Sequence, residues 1–410
     1  METAAAKNAK SLYFVAFIVF IDMCGIGLII PVMPKLIGGL TGEGLDRAAE
    51  IGGLLIFAYS IMQFLFAPII GGLSDRFGRR PILLGTLAIL GLDYILMALA
   101  PTLAWLVVGR IISGIMGATF AAANSCIADT VEPTARGQAF GLMGAAGAAG
   151  FVMGPAIGGV LAQFGDRAPF WAAAFLALTG VTVGLFLLSE TLPPEKRRKF
   201  NIARANPLGN ILQMMKSPLV LGFLGVIFTM QLAVQVQPAV WSYYTILKFG
   251  WSELTIGLSV ALYGLLIALV QGLVTGKAIR KYGEIKVGFF GLIMAVPAYF
   301  LFAVATQGWM MFAGMFIGVA ANMAFPGMQA MMTRDISEDA QGELQGAIAS
   351  VISITSIIGP LVMAGLFGAF SDDKGLYFPG APFMLAAVLV AIAVGQFAYA
   401  ARLSPRLGKS

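Results

Sequence analysis

From Ser11 to Pro34 the chain carries a single charged residue, Asp22, and comparable apolar stretches return at Ile51 to Leu73, Pro81 to Ala100 and Pro169 to Ser189. Each is about long enough to cross a hydrocarbon core of roughly 30 Å as a helix rising about 1.5 Å per residue. Hydrophobic residues make up 59% of the 410 and charged residues 11%, where a soluble domain is roughly a quarter charged. The chain therefore reads as an all-α integral membrane protein with many spans. Met1 to Lys10 is short and polar, and the first apolar run continues without a small-residue cleavage site into Pro31 and Pro34. It is expected to be a retained first helix and not a signal peptide. Cys24 and Cys126 both lie in apolar runs, which points to packing residues and away from a disulfide or metal site.

Charge clusters and Gly/Pro punctuation divide the sequence into about twelve spans, near 11–35, 49–73, 80–100, 102–127, 137–163, 169–189, 218–247, 253–278, 284–306, 308–333, 342–370 and 380–402. Placing both termini in the cytoplasm puts 20 of the 26 Lys and Arg residues there, among them Arg76, Arg79, Arg80, Lys277, Arg280 and Lys281. Lys35, Arg47, Arg167, Lys248 and Lys374 face the other way and Arg110 stays inside a span. The positive-inside rule makes this the expected orientation. The basic charges sit in short loops instead of forming one face, so no nucleic-acid partner is expected.

Residues 191–217, with Pro193, Pro194 and a Glu-Lys-Arg-Arg-Lys run, read as a cytoplasmic linker between halves 1–190 and 218–410. The basic run suits contact with anionic lipid headgroups. A shift of 205 residues places Gly78 on Gly283, Tyr94 on Tyr299, Gly109 on Gly314 and Gly154-Pro155 on Gly359-Pro360. One offset through several spans predicts two pseudo-symmetric six-helix halves around a central cavity.

Asp22, Asp93 and Arg110 are the charged residues placed near the bilayer midplane, where each is costly unless it faces protein or water. A carboxylate at that depth is caught between desolvation, which favours its neutral form, and a neighbouring guanidinium, which favours its charged form. That balance suits proton binding and release, and equally suits a static buried ion pair. Between the second and third spans, Gly71 to Pro81 combines glycines for a tight reversal with Asp75, Arg76, Arg79 and Arg80. Those charges can form a network that closes in one conformation and opens in another. The fifth span holds Gly150, Gly154, Pro155, Gly158 and Gly159, whose three- and four-residue spacing permits close helix approach around a bend. Tyr59, Gln63, Asn124, Gln231, Gln235, Trp241, Gln271 and Asn322 supply amides and aromatics at membrane depth. They suit an amphipathic substrate, or helix-to-helix hydrogen bonding.

Three of these segments together resemble the signatures of major facilitator superfamily drug:proton antiporters: Gly71 to Pro81, Gly109-Arg110-Ile-Ile-Ser-Gly114, and Gly150-x-x-x-Gly154-Pro155-x-x-Gly158-Gly159. Ile21-Asp22, Leu92-Asp93-Tyr94, Met230-Gln231 and Gln341-Gly342-Glu-Leu-Gln345-Gly346 resemble the tetracycline-efflux-like branch. The resemblance implies an inner gate made by Gly71, Asp75, Arg76, Gly78, Arg79, Arg80 and Asp129. Two positions depart from that branch. Ile267 stands where its exporters carry a histidine and Ala295 where they carry an aspartate, and the chain has no histidine anywhere.

The expectation is a secondary active transporter of the bacterial inner membrane that exports a small amphipathic or hydrophobic compound against protons by alternating access. Asp22, Asp93 and Arg110 would carry the coupling. Its expected partners are substrate, protons and membrane lipids, for a monomer without cofactor or metal. An uncoupled carrier of a metabolite or lipid-like molecule is one alternative, and a non-transporting receptor or assembly partner another. With no histidine, no metal-ligand cluster and no nucleophile paired with a base, an enzyme is not expected.

Overall fold

The computed structural model describes residues 4–117, 119–132, 135–197, 217–337, 340–372 and 375–403. Most of the expected linker at 191–217, with Arg198 and Lys199, lies outside the described residues, as does Lys374. The helices are α1 (Ala4–Ile29), α2 (Met33–Thr41), α3 (Leu45–Phe77), α4 (Arg79–Ala98), α5 (Leu103–Met116), α6 (Thr119–Thr130), α7 (Arg136–Leu161), α8 (Ala168–Leu187) and α9 (Pro218–Val234). They continue as α10 (Val236–Phe249), α11 (Glu253–Leu269), α12 (Gly276–Tyr282), α13 (Glu284–Val304), α14 (Gly308–Gly318), α15 (Ala324–Asp335), α16 (Gln341–Ser371) and α17 (Ala381–Arg402). Among the described residues, eleven helical stretches are long and apolar enough to cross a membrane, and Leu103–Met116 is a shorter apolar helix. The fold is all-α, as its apolar spans require.

Several spans are less regular than hydropathy suggests, among them the seventh, which breaks at Gln235 between α9 and α10. The fourth breaks after α5 at Gly117. The eighth passes from α11 to α12 through a π turn at Val270–Thr275, and the tenth from α14 to α15 through a 3-10 turn at Val319–Met323. The reversal expected at Gly71 and Gly72 is also displaced. Both lie inside α3, and Gly78 alone makes the turn, at φ 106°. Gly283, at the matching place before α13, has φ 82°. These left-handed values are strained for any residue with a Cβ.

By contact the chain divides into two compact units. The first comprises Met1–Glu43, Ala58–Asn206 and Ser252–Gly264, the second Gly44–Phe57, Pro207–Trp251 and Leu265–Ser410. In the first, α1 packs on α7 and α8, and α4 packs on α8. In the second, α9 packs on α16 and α17, and α13 packs on α17. The shift of 205 residues converts the first set of pairs into the second.

The fifth-span glycines form the contact with α1. Gly150, Gly154 and Gly158 lie against the carbonyls of Phe20, Cys24 and Leu28, so two four-residue ladders interlock without side chains between them. A Cβ on Gly154 would lie 2.6 Å from the Cys24 oxygen. Gly159 instead faces the Glu253 backbone, while Gly257 closes on the Pro155 carbonyl. Gly154→Val is expected to destabilise by about 1–3 kcal/mol through overpacking. Gly144→Ala, with nothing within 4 Å, should be neutral or stabilising by up to about 1 kcal/mol. Thermal unfolding of the two variants in detergent checks the contrast.

Candidate functional site

The first unit gathers the charged residues of the spans. Asp22 on α1 is 4% exposed and Asp93 on α4 is 2% exposed. Ser113 on α5 donates its hydroxyl hydrogen bond to Asp93 Oδ2, and Gly109 on the same helix leaves room for Oδ1, where a Cβ would sit at 3.1 Å. Arg110 Nη2 lies 3.2 Å from Met97 Sδ. Among the described residues no ion pair joins Arg110 to Asp93. Tyr59 and Tyr94 both lie within electrostatic reach of Asp22 and Arg110, and Tyr94 closes against Gly25 on α1. A charge arriving on or leaving Asp22 is therefore felt by both phenols, and one on Asp93 by Tyr94 and the Arg110 guanidinium.

Beside this cluster, Gln63 on α3 donates to the Gly117 carbonyl at 2.9 Å and to the Tyr59 hydroxyl at 3.3 Å. The amide thus reaches the main chain where the fourth span breaks. Asn124 lies exposed on α6.

At the entrance to α4 the expected gate residues converge on Arg79. Its guanidinium reaches Asp75 Oδ1 at 2.6 Å, Asp129 Oδ2 at 2.9 Å and Ser74 Oγ at 3.0 Å. Arg80 donates to the Leu185 carbonyl at 2.7 Å, and Arg76 lies over the Phe77 ring at 5.1 Å. Gly71, one turn before Asp75, has nothing within 4 Å of where a side chain would start. On the opposite side Lys35 pairs with Asp166 at 3.1 Å and Glu253 at 3.5 Å. The hydrogen bond it donates to Asp166, reinforced by both carboxylate charges, raises its ammonium above the ordinary lysine range. That pair is fully formed at neutral pH and is lost as pH rises through the raised value.

In the second unit the expected substrate residues fall into two groups. Gln235, between α9 and α10, donates to Ser356 Oγ at 3.1 Å and packs on Gly359. Gln231 is half-buried one turn earlier. Trp241 stands edge-on to Trp251, Phe302 and Phe383 with ring centroids 6.3, 5.4 and 6.2 Å away, so its ring belongs to an aromatic core. Gln271 in the π turn and Asn322 in the 3-10 turn form the other group, because the two turns pack together. Asn322 donates to the Val319 carbonyl at 3.2 Å, and Thr275 Oγ1 donates to the Val270 carbonyl at 2.9 Å.

The Major Facilitator Superfamily model matches residues 15–247 and 226–409. The chain belongs to the Major Facilitator Superfamily. It is 40% identical to the class C tetracycline resistance protein of Escherichia coli over 88% of this chain and 91% of that one. It is 38% identical to the class G protein of Vibrio anguillarum over 86% and 89%. A bacterial homologue of the human lysosomal transporter Spinster superposes with a TM-score of 0.80 at 17% identity, covering 98% of each chain. This superfamily member is thus a multi-pass membrane transporter, with tetracycline resistance proteins among its relatives.

One feature of the superfamily chain carries an inversion. Glu284 opens α13 as Arg79 opens α4, and Arg334 ends α15 as Asp129 ends α6. Glu284 and Arg334 form an ion pair, at the two positions shifted by 205 from Arg79 and Asp129. The signs are exchanged. A carboxylate in the first turn suits the helix dipole and a guanidinium does not, so α13 supplies its own acid while α4 has none.

Glu190 meets that need, with Oε1 accepting from the Arg79 backbone N–H at 2.9 Å. Glu190 thus takes the place at the N-terminus of α4, while Asp75 turns to the Arg79 guanidinium. Glu190 and Met97 stand in none of the sequence motifs, and Ser113 stands in the fourth-span motif with no contact legible from it. The one signal for Glu190 is the missing acid in the first turn of α4. Arg79→Gln is expected to lower stability by about 2 kcal/mol, since it leaves partly buried acceptors without their donor. Arg76→Gln, at an exposed site, should cost well under about 1 kcal/mol. Denaturation midpoints in detergent separate the two.

Proposed function

We propose that this transporter exports a small amphipathic or hydrophobic compound in exchange for protons, by alternating access of six-helix halves 1–190 and 218–410. The reading places it in a bacterial inner membrane as a monomer with both termini in the cytoplasm. The observation that carries it is the pair of almost fully buried carboxylates, Asp22 and Asp93, set with Arg110, Tyr59 and Tyr94 at membrane depth. Such groups are expensive in a bilayer and mark ion pathways. Its likeness to tetracycline resistance proteins supports drug efflux as the class of transport.

In this reading Asp93 holds the proton. Ser113 supports its charged form, and a proton on Oδ1 or Oδ2 removes the charge that Arg110 senses across Met97. Neutralising the site changes which arrangement of the surrounding helices is cheapest, and that difference drives the conformational step. Arg79, with Asp75 and Asp129, closes the cytoplasmic side. Substrate contacts fall to Tyr59, Gln63, Gln271 and Asn322.

A different substrate from that of the tetracycline exporters is the second reading. Ile267 and the buried Ala295 make the corresponding places in the second unit apolar, which favours a less polar compound.

Purified protein in proteoliposomes, loaded with lipophilic dyes, tetracycline or lysolipids, tests both readings. Flux should rise when a pH gradient is imposed, and Asp22→Asn and Asp93→Asn should each reduce that gradient-driven part to background at unchanged expression. Gradient-driven flux at the wild-type level in both variants would remove the aspartates from the mechanism. Tetracycline flux no greater than background, with dye flux intact, selects the second reading.

A further inference from the structure

The end of α8 and the entrance to α4 are tied together by one carboxylate that the transport reading does not use. Glu190 Oε1 accepts three backbone N–H groups: Arg79 at 2.9 Å, Thr191 at 3.0 Å and Leu192 at 3.0 Å. Its Oε2 lies 3.8 Å from Arg197. Gly78 makes room for this, because a side chain there would meet Glu190 Oε2 and, at 3.1 Å, the Arg197 guanidinium. The same carboxylate thus serves the helix that begins with Arg79 and folds the first residues of the middle connection, 190–197, onto it. Thr191 in turn donates to Cys126 Sγ at 3.6 Å, one turn before Asp129 on α6.

We infer that Glu190 is a positioning residue of the inner gate, fastening the start of the middle connection to α4 when the Arg79 ion pairs are formed and releasing it when they break. The inference rests on the reading of Arg79, Asp75 and Asp129 as that gate. The chemistry follows from the contacts. Arg79 sits in the first turn of α4, where its charge opposes the helix dipole. Glu190 offsets that opposition and fixes the backbone from which the guanidinium reaches Asp75 and Asp129. Any movement of Arg79 stretches the bond from its own N–H to Oε1. The other two donors share that oxygen, so the connection feels the displacement directly. The second unit has no need of such a tie, since Glu284 is already an acid in the first turn of α13.

Cys126 provides a reporter within the same contact. It is buried at 2% exposure, and release of Thr191 uncovers it. The experiment compares the full-length protein with Glu190→Gln, Glu190→Asp and Asp129→Asn in proteoliposomes. It measures transport kinetics, thermal stability and the rate at which N-ethylmaleimide labels Cys126, resolved from Cys24 by peptide mass. Glu190→Gln should speed Cys126 labelling by about tenfold, the scale of one charge-assisted hydrogen bond. It should also lower the maximal rate with KM unchanged, and Glu190→Asp should recover most of both effects.

Unchanged labelling and transport in Glu190→Gln, with transport slowed in Asp129→Asn, would overturn the role of Glu190 and leave the gate standing. Unchanged transport in Asp129→Asn would overturn the gate and this inference with it. Slower transport accompanied only by a lower unfolding temperature, with Cys126 labelling as in the wild type, would reduce Glu190 to a stabilising contact and also overturn the proposal.

Discussion

An amide or carbonyl left without a partner in a bilayer costs several kcal/mol, and the architecture follows from avoiding that cost. It makes every span helical and singles out the places where a helix gives way. At the breaks in the fourth, eighth and tenth spans a side chain reaches a main-chain oxygen. Gln63 serves Gly117, Thr275 serves Val270 and Asn322 serves Val319. Polar residues elsewhere in the spans, such as Thr182, Thr229 and Ser350, turn back onto carbonyls of their own helix. At the broken turns, Gln63, Thr275 and Asn322 answer the main-chain oxygens. Irregular backbone at membrane depth is a common mark of functional sites, and here it coincides with residues that suit substrate contact.

The second constraint is closeness. Without side chains at Gly150, Gly154 and Gly158, α1 and α7 meet backbone to backbone, and Asp22 is carried on the turn of α1 between two of those contacts. The carboxylate's position is thus set by two rigid helices and not by a loop, which suits the proton-coupling role proposed for it.

Much of this was legible in the residues themselves. Hydropathy located the spans because lipid tolerates so few charges, and the same intolerance made Asp22, Asp93 and Arg110 conspicuous. The four-residue glycine spacing announced a close helix contact but not its partner, since any helix surface can accept such a face. The π and 3-10 turns were invisible because their residues are as apolar as those of a regular helix, and pitch is decided by packing. Gly71 and Gly72 looked like a turn on composition, yet neighbouring hydrogen bonds carry α3 past them. Glu190 escaped notice because a charge at the membrane exit is ordinary. Only the fold reveals that a helix 111 residues earlier in sequence needs its carboxylate. The aromatic surroundings of Trp241 were equally a matter of tertiary contact.

The exchanged signs of Arg79–Asp129 and Glu284–Arg334 have a consequence for how sequences of this kind diverge. Any route from one arrangement to the other by single replacements passes through two like charges facing each other or through one charge with no counterpart. Such intermediates are disfavoured wherever the positions are partly buried. The two arrangements are therefore separated by a barrier in sequence space, and a lineage that has settled on one is held there. Relatives sorted by the sign at these four positions should fall into discrete groups, with few members in between, and the sign at one position should foretell the sign at its partner.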